Sequence, residues 1–485
     1  MCSSDLGRVS LYLIDTHLEG NPDWAVTDTL YGGDRANRLR QEVLLGIGGV
    51  RVLRRLGLEP TVFHLNEGHS AFLQLERMRE LVEVQGLRPD EAIERLRAST
   101  VFTTHTPVPA GNEVFDPELV RRALGSLVER CGLTWKDFLT LGKAEPSGTG
   151  FGLTPFALRT SQYANAVSEL HGAVSREMWH GLWPERRVDE VPITSVTNGV
   201  HQRTWISGGL ETLLGDTDPQ FERARELPAQ DLWAAHRNSK EQLLRFVVDS
   251  RGAPELDPDV LTIGFARRFA AYKRASLLFS RSERLAQLLA DPERPIQVLV
   301  AGKAHPADEE GKDLIQLVVE FAREPTAAGR VVFLEDYEMT LARRLVQGVD
   351  VWLNTPRRPF EASGTSGMKA ALNGVLNCSI LDGWWAEAYS PACGFAIGGP
   401  DVESGEAEQD EADAEALYSV LEQQVLPAYY ERDEGGLPQR WIALMRESIA
   451  ELGPRFGTAR MAAEYVERLY LPAHEGAPQT QSRVA

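Results

Sequence analysis

The sequence predicts an α/β protein of two or three domains, with a parallel sheet covered on both faces in its second half. From Val260 onward, short apolar runs alternate with longer runs of helical periodicity almost without interruption. A chain of 485 residues exceeds what one hydrophobic core ordinarily covers. Its composition, 43% hydrophobic and 25% charged, is that of a globular chain rather than a disordered or membrane one.

In the first half, residues 9–14 read as a strand. Leu39, Val43, Ile47, Val50 and Leu53 then recur at three to four residues and predict a helix over 36–56. Gly46, Gly48 and Gly49 fall inside that helix rather than between a strand and a helix, so close helix packing accounts for them better than a nucleotide loop. Strand-like 61–65, helices from Ala71 and from Asp90, and strand-like 101–104 continue the alternation.

The second half predicts strands at 261–265, 296–301, 331–334, 351–353 and 375–381, with helical patterns between them. Short apolar strands separated by amphipathic helices imply a parallel sheet covered on both faces. Ligands bind such sheets at the carboxyl ends of the strands, which selects the loops 266–273, 302–305, 335–337, 354–369 and 382–385. A boundary is expected near residues 206–218, giving domains 1–205 and 206–472 and a polar tail over 473–485. The acidic run 401–415 is expected on a solvated loop or helix face.

Seventy Asp and Glu against 51 Lys and Arg give a net charge of −19, which argues against nucleic acid and anionic membranes as partners. No apolar run is long enough to span a bilayer. The four cysteines have neither the density of a disulfide scaffold nor the paired spacing of a zinc site, and with no secretory signal evident they read as reduced thiols in a cytoplasm. His64, Glu67 and His69 lack the spacing of a zinc-protease helix, so no metal is expected.

In an acidic protein an anionic ligand requires a local cationic pocket, and two segments offer one. Residues 361–369, Glu-Ala-Ser-Gly-Thr-Ser-Gly-Met-Lys, lead small residues and free backbone amides into a helix, a pattern suited to an anion. Lys369 at its end, among apolar Met368, Ala370 and Leu372, is either a lysine of lowered pKa able to form an imine with an aldehyde cofactor or an ordinary surface lysine. Arg267, Arg268, Lys273 and Arg274 cluster directly after the first strand of the second sheet, where cations oppose a helix dipole unless an anion is present. Trp384 and Trp385 read equally as a crevice wall or as core, and His171 as a structural residue.

These residues carry a resemblance. The runs Gly-Phe-Ala-Arg-Arg-Phe-Ala-Ala-Tyr-Lys-Arg at 264–274, Phe-Leu-Glu-Asp-Tyr at 333–337 and 361–374 ending in Ala-Leu-Asn-Gly resemble the α-glucan (glycogen, starch, maltodextrin) phosphorylases. So do His-Leu-Asn-Glu-Gly-His at 64–69, Thr-His-Thr-Pro at 104–107 and Val-Thr-Asn-Gly-Val at 196–200. The similarity runs in the family's order from about Leu11 to about Leu471, and Ser-Gly-Thr-Ser-Gly-Met-Lys looks like the shorter bacterial branch.

The resemblance implies a GT-B glycosyltransferase-like architecture of two domains with doubly wound parallel sheets, the N-terminal domain incomplete. Its activity would be transfer of terminal glucosyl residues of an α-1,4-glucan to inorganic phosphate, giving glucose 1-phosphate. It implies pyridoxal 5'-phosphate as a Schiff base on Lys369, with Thr365, Ser366 and Arg267 on the cofactor phosphate and Tyr337 and Trp205 near its ring. Arg268 and Lys273 match the cations for substrate phosphate. Glu361, Tyr272 and the amides of Ala362, Ser363 and Gly364 match groups that hold the transferred glucose, and Asn198 and His105 match its 6-hydroxyl contacts. The His105 carbonyl would face positive charge developing on the anomeric carbon. In the family the cofactor's phosphate relays a proton beside substrate phosphate, and the nearby cations offset the repulsion between them. Glu361 then reads as a sugar-binding carboxylate rather than half of a glycosidase pair.

A homodimer is implied by family analogy only. The family pattern also includes an upstream glycine-rich loop and a tyrosine near the cofactor that have no counterpart in this sequence. The resemblance therefore implies a chain beginning inside the family's N-terminal domain, with a site short of one wall. Two other readings compete: a nucleotide-sugar-dependent glycogen synthase-like transferase, which needs no imine-forming lysine, and a noncatalytic glucan-binding remnant.

Overall fold

The computed structural model describes residues 9–30, 32–108, 111–145, 147–215, 219–306, 308–399 and 405–476. The chain divides into two compact units, one from residues up to 166, 175–194 and from 465 on, the other from 167–174 and 195–464. Each is α/β and built on a parallel sheet, in agreement with the predicted fold class.

The strands that begin in the first unit are β1 (Phe63–Asn66), β2 (Thr100–Thr103), β3 (Val114–Phe115), β4 (Phe151–Gly152), β5 (Tyr163–Ala166) and β6 (Thr194–Ser195). The main sheet has the order β1-β2-β5-β6, and β3 pairs antiparallel with β4. β1 and β2 run parallel with Leu65 opposite Phe102, both buried. The predicted first helix forms as Arg35–Val43, a π turn at Leu44–Gly48 and Gly49–Arg55. Gly46 explains the close packing: a Cβ there would lie 2.7 Å from the Leu73 backbone nitrogen.

The strand expected at 9–14 is not found. These residues pair with no strand among the described residues, and Val9, Leu11 and Leu13 are exposed. Alternating apolar residues suit a half-buried strand but do not by themselves supply a sheet edge to pair with.

Both ring nitrogens of His64 are engaged, by Tyr470 Oη and Thr103 Oγ1 at 2.7 Å each, and burial pushes its pKa down to about 4. Among the described residues no group of three or more His, Cys, Asp or Glu is placed to hold a metal. Cys131, Cys378 and Cys393 are buried free thiols; Cys2 lies outside the described residues.

The second unit carries β7 (Leu261–Ala266), β8 (Ile296–Ala301), β9 (Val331–Leu334), β10 (Val351–Asn354), β11 (Leu376–Ile380) and β12 (Gly394–Ile397). Every pairing is parallel, in the order β12-β11-β10-β7-β8-β9. The chain builds outward from β7 through β8 to β9, then returns to lay β10, β11 and β12 on the other side. The strand order therefore reverses between β7 and β10, and at such a point the two following loops diverge and leave a crevice.

The 23-residue helix Ala229–Arg251 covers the sheet with buried Leu232, Leu243, Leu244 and Val247. Beneath it lies a fully buried ionic cluster. Asp350 accepts from Lys240 Nζ at 2.5 Å, His236 Nε2 at 2.8 Å and the Thr262 amide at 2.7 Å. Lys240 Nζ also donates to Val260 O at 2.7 Å and to Tyr429 Oη at 3.0 Å.

The acidic run, described from residue 405, forms the helix Glu406–Val420, with residues 401–404 outside the described residues. Arginines meet it: Arg274 pairs with Asp410 at 2.8 Å and Asp413 at 2.7 Å, Arg357 with Glu406 and Asp410 at 2.8 Å, and Arg284 with Glu415 at 2.9 Å. The terminal helix continues past Pro472 to Gly476, and the rest of the expected tail, 477–485, lies outside the described residues.

Candidate active site

The loops after β7 and β10 both leave the sheet at its reversal point, and their charged side chains meet there. Lys273 Nζ donates to both carboxylate oxygens of Glu361, at 2.8 and 2.7 Å, and Arg267 Nη2 donates to Glu361 Oε2. Burial would push the Glu361 carboxyl up, but the Arg267 and Lys273 charges outweigh it and hold the pKa below the ordinary glutamate value. Two cations against one carboxylate leave a net positive charge in contact.

Arg267 is not saturated by this pair: its Nε and Nη1 are buried and have no hydrogen-bond partner. A buried guanidinium with free donors is costly unless an acceptor meets it. Arg268 is exposed and makes no ion pair among the described residues. Tyr272 lies with its ring 4.6 Å from Lys273 Nζ, and its carbonyl accepts from the Arg357 amide at 2.7 Å. Tyr337 is half-buried beside Arg267, and burial raises its hydroxyl pKa despite that cation. Arg274, grouped with these cations by sequence proximity, is a structural residue. It takes a left-handed backbone (φ 47°), which turns its side chain into the core to pair with Asp410 and Asp413 and donate to the carbonyls of Thr355 and Pro356.

The segment Glu361–Gly364 is held by its peptide groups. Asp382 Oδ2 accepts from the Glu361 amide at 2.8 Å, Ser168 Oγ donates to Ala362 O at 2.7 Å, and the Trp384 amide donates to Ser363 O at 2.8 Å. The amides of Ala362, Ser363 and Gly364 donate to no acceptor among the described residues, and Ser363 Oγ is buried without a partner. Successive unspent N–H groups form a concavity for an anion or a hydroxyl oxygen. Asp382 is fully buried, which pushes its pKa up to about 7 against the two amides it accepts.

Gly383 lies in the left-handed region (φ 52°), and a Cβ there would sit 2.5 Å from Ser363 O and 2.9 Å from Glu361 O. Gly383→Ala is expected to cost about 1–2 kcal/mol from the backbone alone, seen as a lower urea midpoint; an unchanged midpoint would show the turn to be pliable. Trp384 and Trp385 are core residues: Trp384 stacks edge-on with Phe456 at 4.8 Å, and Trp385 Nε1 donates to Phe395 O at 3.2 Å.

Lys369 lies on the helix Thr365–Ala371, with Nζ 3.8 Å from the centre of the Trp205 ring. It forms no hydrogen bond or ion pair among the described residues, and burial lowers its pKa. Trp205 is fixed in turn: its carbonyl accepts from Asn373 Nδ2 at 3.0 Å and Gln347 Nε2 at 3.1 Å, and Asn373 also bonds Lys369 O at 2.9 Å. Ser366 Oγ accepts from Trp352 Nε1 at 3.2 Å, and Thr365 opens the helix.

Asn198 is tied through its backbone, its amide to Val167 O at 3.1 Å and its carbonyl to Arg460 Nη2 at 3.0 Å. His171, buried on the following helix, accepts from the Val167 amide through Nδ1 at 3.4 Å. His105 belongs to the first unit, where its amide donates to Glu67 Oε1 and its Nε2 meets Asn66 Oδ1. Burial lowers the His105 pKa.

Ser168, Asp382, Asn373 and Gln347 were not singled out by the sequence for these contacts. Each acts through a main-chain group distant in the chain; Ser168 opens Ser-Glu-Leu-His-Gly and the Asn sits in Ala-Leu-Asn-Gly, but neither run reveals which main-chain group it meets.

The family model described as carbohydrate phosphorylase matches residues 219–394. The chain is 43% identical to the maltodextrin phosphorylase of Thermococcus litoralis over 97% of its own length and 58% of the relative's. It is 45% identical to the glycogen phosphorylase of Mycobacterium tuberculosis, over 98% of this chain and 59% of that one. With the glycogen phosphorylase of Aquifex aeolicus the identity is 42%, over 96% of this chain and 71% of the relative. The chain thus spans about three fifths of the length of the first two relatives. Taken with the charged loops at the sheet's reversal point, these similarities show that the chain belongs to the carbohydrate phosphorylase family.

Proposed function

We propose that this chain serves an α-1,4-glucan phosphorylase, moving terminal glucosyl residues of glycogen or maltodextrin onto inorganic phosphate to give glucose 1-phosphate. The observation that carries the reading is the convergence of Arg267 and Lys273 on Glu361 at the reversal point, on the loop that leads into the helix bearing Lys369. A glycogen synthase-like transferase has no need of Lys369, and the relatives named above are phosphorylases.

The residues fit pyridoxal 5'-phosphate. Lys369 offers a partly buried amine of lowered pKa against an aromatic face, and Arg267 offers two buried, unspent donors to a phosphate. When bound, the group supplies an aldehyde for that amine and a phosphate able to exchange a proton. Thr365, Ser366 and Arg267 are assigned to the phosphate, and Tyr337 and Trp205 to the ring. Lower basicity leaves more of the Lys369 amine neutral and nucleophilic near pH 7.

Arg268 and Lys273 are assigned to inorganic phosphate. Binding an anion there draws Lys273 from Glu361 and frees the carboxylate for sugar hydroxyls. The unspent amides of Ala362, Ser363 and Gly364 are assigned to the same sugar, with Tyr272 beside them and Asn198 as a hydroxyl contact. In the first unit, His105 is assigned as a hydroxyl contact and its carbonyl as an acceptor facing positive charge. Among the described residues no helix is long and apolar enough to cross a membrane. Residence in the cytoplasm and pairing of two copies are part of this proposal.

The assay is release of glucose 1-phosphate from maltodextrin with inorganic phosphate and added pyridoxal phosphate. Release is expected, and Glu361→Gln is expected to lower it about 10²-fold or more, because removal of one preorganised polar contact typically costs that much. No release, with transfer from a nucleotide sugar in its place, would overturn the reading.

A further inference from the structure

Ser168 stands 194 positions before the loop it touches. It is fully buried, precedes the helix Glu169–Met178, and its Oγ accepts from the His171 amide at 3.1 Å. That contact is what a helix cap requires, and a cap needs only an acceptor. The hydroxyl proton is a separate resource, and it goes to Ala362 O at 2.7 Å.

The peptide unit joining Ala362 to Ser363 is planar, so its C=O and N–H point in opposite directions. Fixing Ala362 O therefore fixes the direction of the Ser363 amide, one of the unspent donors. The next unit is fixed in the same way, because the Trp384 amide holds Ser363 O and thereby aims the Gly364 amide. Before them, Asp382 holds the Glu361 amide. Of these three restraints only Ser168 comes from outside the stretch from β10 to β12. It alone depends on a single neutral side-chain donor, and it has no second duty in shaping the turn. The preceding residue, Val167, accepts the Asn198 amide at 3.1 Å, so residues 167 and 168 fix two of the proposed sugar-binding segments at once.

We propose that Ser168 is a positioning residue for the transferred glucosyl group, holding the Ala362–Ser363 peptide so that the Ser363 amide faces the sugar. This rests on the phosphorylase reading for the identity of the ligand, but the restraint on the loop can be measured without it. In Ser168→Ala, hydrogen exchange over residues 360–366, followed by mass spectrometry on the full chain, is expected to quicken about tenfold. Other peptides of the second unit should remain as before, apart from the start of the helix Glu169–Met178, where the His171 amide loses its capping acceptor, and Ser168→Thr, which keeps donor and acceptor, should stay within about twofold of the unaltered chain. Glucose 1-phosphate release by Ser168→Ala is expected to fall about tenfold in kcat/KM, with borohydride-fixed pyridoxal labelling of Lys369 unchanged.

If Ser168→Ala does not fold, Ser168→Cys, close in size and a weak donor, carries the same expectation. If the unaltered chain releases no glucose 1-phosphate, the functional reading fails and the exchange result alone decides this one. Unchanged exchange over 360–366, acceleration spread across the whole unit, or a Thr variant as impaired as Ala would each overturn the role of Ser168.

Discussion

Lys369→Ala is expected to lose the pyridoxal label that borohydride fixes in one peptide of the unaltered chain, and to lower glucose 1-phosphate release by about 10³-fold or more, as removal of an essential nucleophilic group does. The expectation follows from position. The amine is partly buried, unpaired among the described residues and set 3.8 Å from an aromatic face, so no carboxylate stabilises its charged form. Lys369→Arg is expected to fail as well, because a guanidinium keeps the charge but stays protonated. Peptide mapping checks both, and label dispersed over surface lysines in the unaltered chain would refute the assignment.

The largest effect on stability is expected at Lys240. Lys240→Met leaves the Asp350 carboxylate fully buried with His236 and one amide but without its cation, and removing one partner of a buried pair costs about 3–5 kcal/mol. Urea unfolding of the full chain measures it, and a loss under about 1 kcal/mol would mean that water or a neighbour replaces the ammonium. The same cluster sets an acid limit. Burial alone would raise the Asp350 pKa, but Lys240 and His236 hold it below the ordinary aspartate value. Its contribution is therefore fully present above the unfolded aspartate pKa near 3.9 and is lost as pH falls through the lower folded value. Asp350→Asn should flatten that part of the stability-versus-pH curve.

The second sheet was legible because β7 to β11 are apolar runs separated by helices of clear period, and the predicted strands overlap each observed one. β12 was missed: Gly-Phe-Ala-Ile is brief, opens with glycine and follows a turn rather than a helix of any length. Residues 9–14 misled for the opposite reason, showing a strand's alternation without a partner. At the site, Glu361 and Lys369 share one short run of sequence and Arg267 and Lys273 another, so each group was readable. That Glu361 sits under both cations was not readable, because the contact spans 88 to 94 residues and depends on strand order. Arg274 was misgrouped because its chain neighbours face the crevice while a left-handed turn sends its own side chain inward.

The acidic helix Glu406–Val420, met by arginines from other elements, also bears on how a visiting anion would encounter the loops. By neutralising Arg274 and Arg357 within the fold, it leaves Arg267, Arg268 and Lys273 as the cations of the proposed phosphate site. Added salt should therefore weaken phosphate capture at the loops well before it loosens the near-inaccessible Arg274 pairing, since small ions screen what they can reach.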